Sequence, residues 1–259
     1  MEDVENPPTP QIVEDARMRR WLGVEFALER YEDPNSVDDG GRTVLHYAAH
    51  RGPPHILKKL LDSQADPTRA TDKGATPLYW AALGGNLSNA ECLLEHQVDP
   101  NVSSGHCGWT PLRVASKHGA CSIVKILLEY QANPNHAIKK DATTPIHLAA
   151  INGRSDIVEH LLKYQADATH VDKFGRTPMS QAVHHDNWDV VRCLLAHQFG
   201  SKPWIPDLAT FKLLPEPFQK QACVLTRCWS AKPEDSSNLL HKLPPEMLHL
   251  LLVSVWREY

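Results

Sequence analysis

The sequence has no uninterrupted apolar run of about twenty residues, the length a membrane-spanning helix requires. It has no large excess of either charge: 27 Lys plus Arg stand against 31 Asp plus Glu, a formal net charge of -4. That balance gives no electrostatic footprint for DNA or RNA. Six cysteines in 259 residues are too sparse for a disulfide framework. The opening Met1-Glu2-Asp3-Val4-Glu5-Asn6 is acidic and lacks the apolar core of a secretory leader. Free cysteines without an export signal predict a cytoplasmic or nuclear protein. G-x-S-x-G, H-E-x-x-H and G-x-x-x-x-G-K-[ST] are all missing. Fifteen histidines make zinc worth weighing, but Cys223 and Cys228 lack a second His/Cys pair nearby. His106-Cys107 and His118-x-x-Cys121 could in principle converge, but the first falls at a predicted hairpin tip and His118 ends a helix some distance away. The expectation is no metal site, no cofactor and no catalysis.

What the chain does contain is a phrase repeated five times. Threonines recur at 43, 76, 110, 144 and 177, spaced by 33, 34, 34 and 33 residues. The fullest copies read Thr76-Pro77-Leu78-Tyr79-Trp80-Ala81-Ala82 and Thr144-Pro145-Ile146-His147-Leu148-Ala149-Ala150. Gly52, Gly85, Gly119 and Gly153 each lie nine residues after their threonine. Paired leucines close every unit, from Leu60-Leu61 to Leu194-Leu195. A fixed period in the low thirties predicts a stack of copied units.

One unit can be read from its own chemistry. Proline at the first helical position sacrifices no hydrogen bond, and the threonine before it can cap the helix. The helix should run to the glycine, which supplies a left-handed residue at its end. A second helix follows, its apolar positions on one face, as at Ile157, Val158, Leu161 and Leu162. So short a helix pair cannot bury its apolar face alone, so neighbouring units must complete the core. His46 and His147 then read as structural residues that hydrogen-bond locally.

Period and phrase together resemble the ankyrin-repeat family over roughly residues 39–200. The resemblance implies an all-α solenoid of helix–turn–helix units with β-hairpin-like loops. The family's usual glycine after the paired leucines is replaced here by Gln64, Gln97, Gln131, Gln165 and Gln198. A left-handed backbone would make each of them costly. Asp186 replaces the glycine between the helices of the fifth unit, Val44 the first helix-opening proline and Ala142 a hairpin glycine. These departures predict looser turns. Asn101 and Asn135 resemble ankyrin asparagines that an asparaginyl hydroxylase modifies; an ordinary loop role is the alternative.

Four segments are predicted. Residues 1–15, with Pro7, Pro8, Pro10 and five acidic residues, read as a disordered tail. Residues 16–38, with Trp21, Leu22, Val24, Phe26, Ala27 and Leu28, read as a degenerate repeat or an N-terminal cap with one polar face. Residues 39–200 hold the five repeats. Residues 201–259 form a linker and a helical C-terminal module, dense in apolar residues at Leu243-Pro244-Pro245-Glu246-Met247-Leu248-His249-Leu250-Leu251-Leu252. This end weakly resembles an F-box or a SOCS box, which would make Leu243, Pro244, Met247, Leu248 and Leu251 contacts for a cullin-ligase adaptor. The alternative is a pair of helices capping the last repeat.

The resemblance implies a non-catalytic module that binds a partner protein through its hairpin tips and first helices. Tip positions are Arg42, Lys73, His106, Trp109, Lys140, Lys173, Phe174 and Arg176; helix positions are Tyr47, His50, Arg51, Trp80, Lys117, His118, Ile151, Asn152, Gln181, His184 and His185. Trp80, Trp109 and Phe174 are large aromatics where the architecture needs none, and aromatics beside cations make interface hot spots. The alternative is that single aromatics pack along hairpin stems or against a neighbouring side chain. The cations could attract an acidic partner segment. The chain should be a monomer before it binds.

Overall fold

The computed structural model describes residues 9–105 and 108–199, and those residues contain twelve helices. They come in pairs: α1 (Gln11–Arg17) with α2 (Trp21–Glu29), α3 (Val44–Arg51) with α4 (Pro54–Asp62), and α5 (Pro77–Gly84) with α6 (Leu87–Glu95). Then follow α7 (Pro111–His118) with α8 (Cys121–Glu129), α9 (Pro145–Ile151) with α10 (Ser155–Lys163), and α11 (Pro178–His184) with α12 (Trp188–Phe199). Odd-numbered helices pack on one another in chain order, and so do even-numbered ones. The result is two parallel layers. Its core lies between them, continuous from Ile12 to Leu194. Ile157, Val158 and Leu161 are fully buried and Leu162 nearly so, as their spacing predicts. Each such side chain contributes about 1.5–3 kcal/mol by leaving water.

The threonines start the helices as expected. The hydroxyls of Thr76, Thr110 and Thr177 accept the backbone N–H three residues on, and proline follows each at the first helical position. At Thr43 and Thr144 a histidine completes a reciprocal capping box. The loops between units are tight turns with short bridges, Val37 to Thr43 and Ser104 to Trp109.

Several expectations are corrected. Residues 11–15 belong to α1, with Ile12 and Val13 buried, so the reading of a disordered tail through residue 15 fails there. An isolated seven-residue helix would be marginal, and packing on α2 and α3 holds it. The terminal pair therefore spans 11–29 rather than starting at 16. It keeps the period: Arg19 and Tyr31, both at positive φ, fall 33 residues before Gly52 and Gln64. Its outer side is not polar, since Leu22 is 82% and Phe26 60% exposed.

Gly85, Gly119 and Gly153 are left-handed as predicted, but Gly52 sits at φ -77° and ψ 154°. The cause is Pro53, which drives the residue before it to extended backbone. Gly52 is needed instead for space, because a Cβ there would lie 2.6 Å from the Ala48 Cα. Gln64, Gln97, Gln131 and Gln165 do adopt φ of 65°, 59°, 64° and 64°. Gln198 does not, because α12 runs through it. Ala142 (φ 59°) and Asp186 (φ 56°) accept the glycine conformation. The Ala142 turn is not looser: its N–H donates to the Ile138 carbonyl at 2.9 Å.

Candidate functional site

The site grows out of how one unit is fastened to the next. The backbone N–H of Thr43 donates to His46 Nδ1 at 3.0 Å, and the Thr43 hydroxyl lies 2.9 Å from the same nitrogen. Nδ1 is thus the acceptor, and Nε2 carries the proton that it donates to the Ala75 carbonyl at 3.0 Å. The ring is a neutral strut from one unit into the next unit's hairpin. Burial pushes its pKa down to about 4. His147 repeats the arrangement, donating through Nε2 to the Arg176 carbonyl at 3.1 Å, and burial lowers its pKa too. Both histidines therefore reach beyond the local turn expected for them.

In the third unit Arg113 takes this position. Its guanidinium donates to the Thr143 carbonyl and, at 2.9 Å, to the Thr143 hydroxyl. The side chain is fully buried, Nε has no partner, and no carboxylate lies within ion-pair distance among the described residues. Burial lowers its pKa to about 10, against the pull of Asp141. A second set of struts runs along the opposite loops. Asn35, Asn101 and Asn135 each donate to the carbonyl of the next unit's glutamine and accept an N–H two residues beyond it. Asn101 and Asn135 thus have a structural loop role.

On the face formed by hairpin tips and first helices lies an open groove of about 1170 Å³. Asp39, Gly40, Arg42, residues 71–75, Ser104, Gly105 and Trp109 bound it, with α5 and α7 as its floor; His106 and Cys107 lie outside the described residues. Arg42, Lys73, Trp80, Trp109, Lys117 and His118 all line it, so six of the predicted contact residues converge. Trp80 is half-buried and packs against neighbouring side chains, the alternative the sequence left open: its ring meets those of His46, Tyr47 and His50 at 5.4–6.3 Å between centroids. The Arg42 guanidinium lies 5.5 Å from its centre. Trp109 carries the Arg113 and Lys117 cations at 5.1 and 5.2 Å. Cation–π contacts of this kind hold each indole in place.

The remaining predicted residues do not join the groove. Tyr47 is committed to its own hairpin, donating to Asp38 Oδ2 at 2.6 Å, and Arg42 lies 3.6 Å from the same carboxylate. Burial pushes the Asp38 carboxyl up, but hydrogen bonds from Tyr47, Arg42 and Gly40 outweigh it and hold the pKa below the usual value. His50 edges Trp80 from below, and burial lowers its pKa. Arg51 is exposed at the end of α3. Asn152 caps α9 by donating to the Leu148 carbonyl at 2.7 Å, and Ile151 is half-buried with its carbonyl held by Asn187. Lys173 reaches the Lys139 carbonyl at 2.5 Å. Phe174 is 71% exposed beneath Arg176, at 4.6 Å. His184 and His185 meet edge to face at 5.1 Å. Gln181 is buried and faces Asp172. Leu243, Pro244, Met247, Leu248 and Leu251 lie outside the described residues.

The sequence reading missed Tyr79, Leu83 and Val114 as apolar walls of the groove, and Arg113 beneath it. Arg113 was legible as the only departure of its charge at the histidine position of the phrase. Among the described residues no group of three or more His, Cys, Asp or Glu side chains could hold a metal. Cys92, Cys121 and Cys193 are half-buried, and burial with a hydrogen bond to Asp156 pushes the Cys121 thiol up to about 11. No helix among the described residues is long and apolar enough to cross a membrane.

Stacked helix pairs with tight loops and a groove across their tips define a helical repeat solenoid. The family model described as "Ankyrin repeats (3 copies)" matches residues 20–104, 45–138 and 136–207, and the chain belongs to the ankyrin-repeat family. Repeats of this family are protein–protein interaction modules, typically without catalytic activity. No curated protein matches this chain.

Proposed function

We propose that the chain is a non-catalytic adaptor that docks a partner protein in the groove lined by Asp39, Gly40, Arg42, residues 71–75, Ser104, Gly105 and Trp109. The convergence of Trp80, Trp109, Arg42, Lys73 and Lys117 on one cavity carries this reading. Indoles already fixed by neighbouring cations lose little freedom on binding, so their contact area is turned into affinity with little entropic cost. The test is affinity capture with the full chain, its Trp109→Ala/Lys117→Glu variant, and Lys163→Glu on the exposed outer side of α10 as control. A direct partner should be lost by the groove variant and kept by the control. Partners retained equally by both would sink the reading.

The cullin-ligase adaptor role rests on the sequence of Leu243–Leu252 alone. Deleting 201–259 should then abolish co-purification of a cullin adaptor while leaving groove-bound partners in place. The segment boundaries 1–10, 11–38, 39–200 and 201–259 are the divisions we propose for such deletions.

A further inference from the structure

We infer that the groove recognises an extended, acidic segment of its partner that carries an apolar pair of side chains; this rests on the docking role proposed above. Lys73 and Lys117 line the groove, and neither has a carboxylate within ion-pair distance among the described residues. Beneath Trp109 the buried Arg113 guanidinium adds a third positive charge with no ion-pair partner there. A charge buried in low dielectric is screened less than one on the surface, so its field reaches the groove.

The carboxylates lining the groove are Asp39 and Asp72. Asp38 answers Arg42 at the far end, 3.6 Å away, so that end is close to neutral. The two cations that meet Trp109, Lys117 and Arg113, have no ion-pair partner among the described residues. Asp141 acts on Arg113 through space and offsets part of its charge, while accepting the Thr143 N–H at 2.9 Å and the hydroxyl at 2.6 Å. Apolar surface lies alongside, from Tyr79, Trp80, Leu83 and Val114. A partner thus meets a fixed apolar wall flanked by Lys73 and Lys117, lysines that no carboxylate of the described residues pairs.

The groove crosses the tips of three successive hairpins. Neighbouring helices in such a stack lie about 8–10 Å apart, so about six residues of extended chain at ~3.3 Å each would cover it. Carboxylates set between Lys73 and Lys117 would flank apolar side chains resting on the indoles. Such binding must weaken with salt, because its charged contacts are solvent-accessible.

The experiment titrates the full chain with three eight-residue, end-blocked peptides that share a central Leu-Phe pair. Their flanks are glutamate, serine or lysine, and heat is measured at low and high salt. The glutamate peptide should bind, and at least tenfold more weakly to Lys73→Glu/Lys117→Glu. The lysine peptide should bind that charge-reversed variant and not the original chain. Circular dichroism confirms that the variant remains folded, as expected for surface lysines. Failure of the glutamate peptide to bind, or binding indifferent to charge reversal, overturns the inference. If the serine or lysine peptide binds the original chain instead and is lost with Trp109→Ala, the docking groove stands and only its acidic preference falls. Binding of all three that is insensitive to Trp109→Ala removes the groove itself.

Discussion

Helix α5 and the third hairpin, on one side, and the tip of the fifth hairpin, on the other, carry aromatics under very different restraint. Trp80 and Trp109 are gripped: one by three rings of the preceding unit, the other by two cations from α7. Phe174 stands 71% exposed with the Arg176 of its own hairpin above it. The contrast teaches that an aromatic at a repeat tip becomes part of a cavity only when the stack immobilises it. Immobilisation comes in turn from the polar struts that set the distance between units. Phe174 offers the larger exposed area, and the indoles offer the better prepared one.

The largest effect should come from removing the strut under Trp109. Arg113→Ala leaves a void and strands the Thr143 carbonyl and hydroxyl, and should cost about 3 kcal/mol in urea unfolding. Arg113→His, which copies the residue used at two other junctions, should cost only about 1 kcal/mol. Equal losses would show that volume, not the strut, sets the junction.

Acid should loosen the histidine junctions next. His46 is neutral in the fold with a pKa of about 4, below its ordinary 6.5, so the unfolded chain takes up its proton first as pH falls. The stability this residue lends is complete above about pH 6.5 and lost on descent towards 4, amounting to up to about 3 kcal/mol. His147 acts in the same direction. Urea midpoints between pH 7 and 4 should fall, and should fall less in His46→Gln. A flat profile over that range would remove the neutral strut from the account.

Binding sharpens the comparison directly. Trp109→Ala should weaken a groove-bound partner by about 2 kcal/mol, whereas Phe174→Ala should change it by less than about 0.5 kcal/mol. The reverse order would move the recognition face to the last two units. The smallest effect is a gain. Thr68 occupies the place of Asn35, Asn101 and Asn135, but its hydroxyl stays within its own turn, on Asp66 at 2.7 Å. Thr68→Asn should supply the missing strut and add about 0.5 kcal/mol, read as a higher melting temperature.

Helix starts, the two-layer stack and the buried faces were legible because they depend on local chemistry at fixed spacing: proline after threonine, paired apolar residues a few positions on. Gly52 was misread because the same glycine serves space there and backbone freedom elsewhere, and only the following Pro53 tells them apart. Six groove residues were nameable from their place in the repeat, but their convergence was not. Nor could a sequence show that Trp80 leans back onto the previous unit, since that contact joins residues 30 or more positions apart. The helical end at 11–15 was hidden by acidic, proline-flanked composition, which outweighed two apolar side chains.

The four glutamines held at positive φ carry a consequence for engineering. Glycine adopts that backbone freely, whereas any residue with a Cβ is disfavoured in it by roughly 1–2 kcal/mol, partly offset by the greater freedom glycine loses on folding. These four turns lie on the loops after the second helices, outside the groove lining. Replacing them one by one should therefore raise heat tolerance while leaving ligand choice untouched, a reserve of robustness that the native chain holds unused.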